Sequence, residues 1–151
     1  MATTVTASTL TVQVKETITL NGVRRGSNTI NTISSIGEIS NRIMSITNAT
    51  NGTEIIAIST ASGIGTYDKA AVKYMRLTNL DDTNYVLIQF TDSSSHHWEI
   101  KLEAGKSIII GDTANVDDQA DIDNFSATAL AKIIGKADTA ACDVEVYIAS
   151  T

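Results

Sequence analysis

Apolar and polar residues alternate along most of this chain with a period of two, the pattern of strands that bury one face. Leu10, Val12 and Val14 fall on one side with Thr11 and Gln13 opposite, and Ile18 and Leu20 resume the pattern after Lys15, Glu16 and Thr17. The next clear units are residues 43–47 and 54–59, separated by the polar stretch 48–53. Within that stretch Asn51-Gly52 supplies the positive φ that a tight turn demands, so the two units are expected to pair as an antiparallel hairpin. Residues 72–79 and 85–90 flank the turn cluster 80–84, with Val86, Ile88 and Phe90 on one side, and read as a second hairpin. Trp98, Ile100 and Leu102 then alternate with His97, Glu99 and Lys101; residues 103–106 turn and 107–110 run back, a third hairpin by the same logic.

Residues 111–124 are the largest interruption and are dense in aspartate. Beyond them, 125–135 is ambiguous. Residues 127–132 have helix propensity, whereas Thr128, Leu130, Lys132 and Ile134 alternate loosely with alanines. The strand reading is preferred because residues 138–141 turn into the plain strand 143–149, and a hairpin then closes the chain. Eight or nine short strands with at most one short helix predict an all-β fold, an antiparallel β-sandwich or jelly roll, occupying residues 9–151 as one domain. Residues 2–8, polar and β-prone, suit either an arm that adds to a neighbour's sheet edge or an unpaired tail.

Composition narrows the function. With 151 residues, 42% hydrophobic and 19% charged, the chain has enough apolar material to bury a core, and it is rich in Thr, Ser, Asn and Ile without a single proline. A net charge of −6 argues against nucleic-acid binding, because phosphate contact needs a concentrated basic surface. The close basic pair Arg24-Arg25 sits in the polar turn 21–27, as a solvated loop or as a contact to an acidic partner surface. The first residues lack a secretory pattern and no run of about 18 apolar residues occurs, so a protein made in the cytosol and free of membrane is expected. Cys142 has no second cysteine to bond and falls on a strand face with Val144, Val146 and Ile148, the setting of a small buried hydrophobe.

Candidate chemistry is sparse. His96 and His97 are strand neighbours that point to opposite faces, so they cannot share a metal; His97 is expected outward and Trp98 inward. Asp112, Asp117, Asp118, Asp121 and Asp123 lack EF-hand spacing and read as a solvated acidic loop, with a weak cation site or a partner's arginines as alternatives. Gly63-Ile64-Gly65 is a lone fragment, no serine sits in a nucleophile elbow, and the sequons at Asn48, Asn51 and Asn124 read as turn chemistry. No catalytic, cofactor-binding or metal-binding residue is therefore assigned, and a structural protein is expected rather than an enzyme. A carbohydrate-binding module would use the same fold with exposed aromatics, for which only Trp98, Tyr67, Tyr74, Tyr85 and Tyr147 are available, most of them inside strands.

The segments 14–22, 72–84, 101–110 and 143–149 together resemble small virion proteins of tailed bacteriophages, particularly marine ones. In those proteins a strand ending R-x-T/R-N-L, a polar turn, a second strand and an L-x-A-G-x-S return recur in that order. The resemblance implies a β-sandwich subunit of the particle, a capsid decoration (cement) protein that binds the major capsid protein and copies of itself and needs no cofactor. It would reside in the virion, assembled in the host cytoplasm, and a tail, neck or head-fibre component is the runner-up.

Overall fold

A computed structural model describes residues 5–110 and 130–151, and these carry strands but no helix. The strands are β1 (Ser8–Lys15), β2 (Thr19–Leu20), β3 (Val23–Arg24), β4 (Asn28–Ile36), β5 (Glu38–Ile46), β6 (Thr53–Ser59) and β7 (Thr66–Asp68). They continue as β8 (Val72–Asn79), β9 (Val86–Asp92), β10 (His97–Leu102), β11 (Ser107–Ile110), β12 (Leu130–Ala137) and β13 (Cys142–Ser150). One sheet runs β10-β9-β12-β6-β7 and the other β11-β8-β13-β5; every pairing is antiparallel except β6 with β7. The expected all-β sandwich is thus present, with thirteen strands among the described residues where the alternation delimits eight or nine.

The core lies between the two sheets. Ile46, Leu77, Val144, Val146 and Ile148 of the four-stranded sheet meet Ile55, Ile56, Val86, Ile88 and Ile133 of the five-stranded one, all with at most 1% of their surface exposed. Alternation places these side chains inward, and burial at this density supplies most of the driving force for folding. Cys142 lies in the same layer, as expected from its spacing to Val144 and Val146. Burial raises its thiol pKa, with the carboxylate of Asp81 adding to the shift.

The expected hairpins are overturned. β5 and β6 do not pair: β5 pairs with β13, and β6 with β12 and β7. β8 and β9 likewise belong to different sheets, as do β10 and β11, and β12 and β13. Each of these connections crosses the sandwich. Alternation cannot separate the two cases, because a hairpin and an inter-sheet arch both point their apolar residues at the core. Loop length does not separate them either: the β9–β10 hairpin turns over residues 93–96, and the β10–β11 and β12–β13 arches cross the roughly 10 Å between packed sheets with loops of the same length, 103–106 and 138–141.

At the β8–β9 corner the side chain of Asn79 is wholly buried and replaces the missing ladder. Its Nδ2 donates to the carbonyls of Asn84 (2.8 Å) and Leu102 (3.2 Å), and its Oδ1 accepts from the Asp81 N–H at 3.1 Å. The Asp81 carboxylate in turn accepts the N–H groups of Asn84 (2.6 Å) and Thr83 (2.8 Å), bonds that hold its pKa below the usual carboxylate value. At the β5–β6 corner Gly52 has the expected positive φ of 68°, but for a different reason. A Cβ there would lie 2.6 Å from Ile134 Cγ2, so glycine allows the corner to press against β12.

Arg42 closes the open side of the sandwich. A register shift between β12 and β6 leaves Ile55 opposite no partner, and its carbonyl accepts a bond from Arg42 Nη2 at 2.5 Å. Ile55 and Ile56 both point into the core as a result.

The pairing of β1 with β4 continues through β2 with β3 to make one long hairpin. Its strands join at Asn21-Gly22, where φ values of 51° and 76° make the two-residue turn whose twist suits a hairpin. The strand β4 is absent from the sequence expectation because Ile30, Ile33 and Ile36 recur every third residue and break the period of two. Ser35, at φ 63°, sits in a bulge opposite Thr9 that brings Ile33 and Ile36 to the same buried side.

Candidate interaction surface

The hairpin divides into a covered base and an open end. At the base, Leu10, Val12, Ile33 and Ile36 pack on Tyr74, Tyr147 and Ala149, which face outward from β8 and β13. Tyr74 and Tyr147 meet edge to face with centroids 6.0 Å apart, and burial raises the Tyr74 hydroxyl pKa. Cross-strand register carries this apolar face onward, since Leu20 opposes Val23 and Val14, Ile18 and Leu20 keep the parity of Leu10 and Val12. Those outer residues have no cover: Val14, Ile18, Leu20 and Val23 are 45–58% exposed. The opposite face is polar apart from Ile30, with Thr11, Gln13, Lys15 and Thr19.

Arg24 and Arg25 flank the hairpin tip, in β3 and just beyond it, so the polar turn of the sequence reading is a hairpin end. The backbone N–H of Arg25 donates to the carbonyl of Ile18 at 2.9 Å, which puts Arg25 across from Ile18 on the apolar face. The hairpin was legible in the sequence only as two alternating stretches with a basic pair beyond them. The Asn21-Gly22 dipeptide was the signal that could have joined them.

The remaining candidates stay apart. His96 Nδ1 lies 3.0 Å from Asp92 Oδ2, and the same carboxylate accepts the Ser94 and His96 N–H groups at 2.8 Å, which ties the β9–β10 turn. His97 stands on the outer face of β10, as expected. Trp98 corrects its expectation in part: it shares the inward face with Phe90, 5.0 Å away, but is 48% exposed because β10 is a sheet edge. Among the described residues no three His, Cys, Asp or Glu side chains gather as a metal set. The aspartates from Asp112 to Asp123, the sequon at Asn124 and residues 2–4 of the N-terminal segment lie outside the described residues.

An open cleft of about 460 Å³ lies beside Gly63 and Gly65, with Glu38, Asp68 and Tyr67 on its wall. The Tyr67 hydroxyl donates to Ser40 Oγ at 2.8 Å, and Asp68 Oδ1 accepts the Ala70 N–H at 2.9 Å. Of the other aromatics, Tyr74 is buried under the hairpin and Tyr85 lies beneath Lys101, whose Nζ is 4.2 Å from the ring centroid. Asn48 donates to the Thr139 carbonyl at 3.0 Å and Asn51 precedes Gly52 in the β5–β6 corner, so both serve their turns. No helix among the described residues is long and apolar enough to cross a membrane.

No family model, curated protein or solved structure matches this chain.

Proposed function

We propose that this chain is a non-enzymatic structural protein of a phage particle, a decoration subunit that binds the major capsid protein and stabilises the head. The observation that carries the reading is the division of the molecule into a closed sandwich and a long hairpin whose outer apolar face is open. A rigid body with a protruding ribbon suits attachment to a broad protein surface, where backbone edges and loops supply contacts that a pocket does not. The resemblance of segments 72–84 and 101–110 to small virion proteins supports the same role, and the net charge of −6 favours solubility before assembly.

Quantitative mass spectrometry of purified particles from a phage carrying this gene tests the reading. A fixed stoichiometry close to that of the major capsid protein, and rebinding of the purified protein to stripped heads, is the expected result. Recovery with isolated tails instead would move the assignment to a tail or neck component, and absence from the particle would overturn it.

A further inference from the structure

We propose that the open end of the hairpin docks on the outer face of the four-stranded sheet of a second copy of this chain, making between molecules the contact that its base makes within one. The inference holds or fails independently of where in a particle the protein resides.

The base already shows which surface this apolar stripe fits. Leu10, Val12, Ile33 and Ile36 lie against the outer side of β8 and β13, at Tyr74, Tyr147 and Ala149. That sheet face continues beyond the covered part. Register places Ile43 beside Glu145 and Thr78 in one row, and Ile109 beside Arg76 and Tyr147 in the next. Ile43 is 63% exposed and Ile109 is 45% exposed, while Arg76 and Glu145 pair between them at 2.7 Å. Two uncovered surfaces of the same molecule therefore have matching character: a ribbon ending in Ile18, Leu20 and Val23, and a sheet face bearing Ile43 and Ile109.

Charge favours the same pairing. Of the chain's 17 acidic residues only Glu16 lies on the hairpin, whereas three of its 11 basic residues, Lys15, Arg24 and Arg25, do. Arg25 is on the apolar side with Ile18, and on the outer side of β13 Asp143 stands beside the Arg76–Glu145 pair. A basic ribbon end meeting an acidic body steers two copies together and disfavours ribbon against ribbon.

Reach is sufficient as well. From Ser8 to the turn the ribbon spans about 40 Å at ~3.3 Å per residue, and its covered base ends near Val12. The remaining length is about that of a strand in the body. A two-stranded ribbon alone in water is marginal, so the open end gains order from such a cover.

Sedimentation velocity of the purified full chain over a wide concentration range tests this. The wild type should associate to at least two chain masses. A variant carrying Ile18→Thr and Leu20→Thr should associate at least tenfold more weakly with the melting temperature of its monomer unchanged, because both positions are exposed and threonine keeps strand propensity. Ile43→Lys on the receiving face should weaken association similarly. Mixing the two variants should restore part of it, since the intact ribbon of one then meets the intact sheet of the other. A wild type that stays monomeric throughout, an Ile43→Lys variant that associates normally, or a mixture that regains nothing would each overturn the proposal.

Discussion

The sandwich and the hairpin are made from the same material, strands that alternate apolar and polar residues, yet they end in opposite states. In the sandwich two sheets turn their apolar faces on each other, and Leu77, Val146 and Ile133 lose all contact with water. The hairpin has one apolar face and only part of a sheet to lay it on. Leu10 and Ile33 are sheltered while Leu20 and Val23, on the same face, are not. Alternation makes a strand two-sided, and only a second layer converts that into stability.

Substitutions that separate the two regions sharpen this contrast. Leu77→Ala, in the centre of the core, should lower the unfolding free energy by about 2–5 kcal/mol, read from urea denaturation. A smaller loss would mean that the sheets are less tightly closed than the burial of their residues implies. Asn79→Ala should cost about 1–3 kcal/mol in the same experiment, because the buried carbonyl of Leu102 loses its donor.

Asp81 gives a pH signature. Its folded-state pKa lies below the ordinary value, so the stabilisation it provides is present above about pH 4 and is lost as pH falls through the lowered folded value. Asp81→Asn should therefore be less stable than wild type at neutral pH and converge with it in strong acid, which thermal melts across that window would reveal. The smallest effect belongs to the hairpin. Leu20→Ser should change the stability of the monomer by less than about 0.5 kcal/mol, and a larger loss would place Leu20 in a folded-state contact and dissolve the contrast.

Strand positions were largely legible in the sequence, and strand partners were not. Val86, Ile88 and Phe90 announce β9 and its buried side, and Cys142, Val144 and Val146 announce β13. Nothing in their alternation says that β9 lies in a different sheet from β8. The decisive residue, Asn79, reads only as the end of the strand before the turn cluster 80–84 until its three hydrogen bonds around the corner are seen. Asn51-Gly52 drew the hairpin reading because the dipeptide demands a positive φ, yet packing on Ile134 uses that freedom for an arch. The true Asn-Gly hairpin stands at Asn21-Gly22, where the bulge at Ser35 hides the returning strand. The interaction surface was legible only in half, as Leu10, Val12, Val14, Ile18 and Leu20, because its base is defined by contacts with Tyr74 and Ala149 far along the chain.

The arches also govern the order in which the molecule comes together. A hairpin zips from its turn on a timescale of microseconds, since each new pair forms next to the last. The β1–β4 ribbon and β9 with β10 are connected in that way. Every arch instead delivers two neighbouring strands to different sheets, so that β13 finds β5 and β8, and β12 finds β6, only after long loops have closed. The sandwich therefore waits on the entropy of those loops and folds slowly for its size, while the ribbon can form early. Until the body that shelters its base exists, the ribbon forms and reopens, showing its apolar side each time it closes.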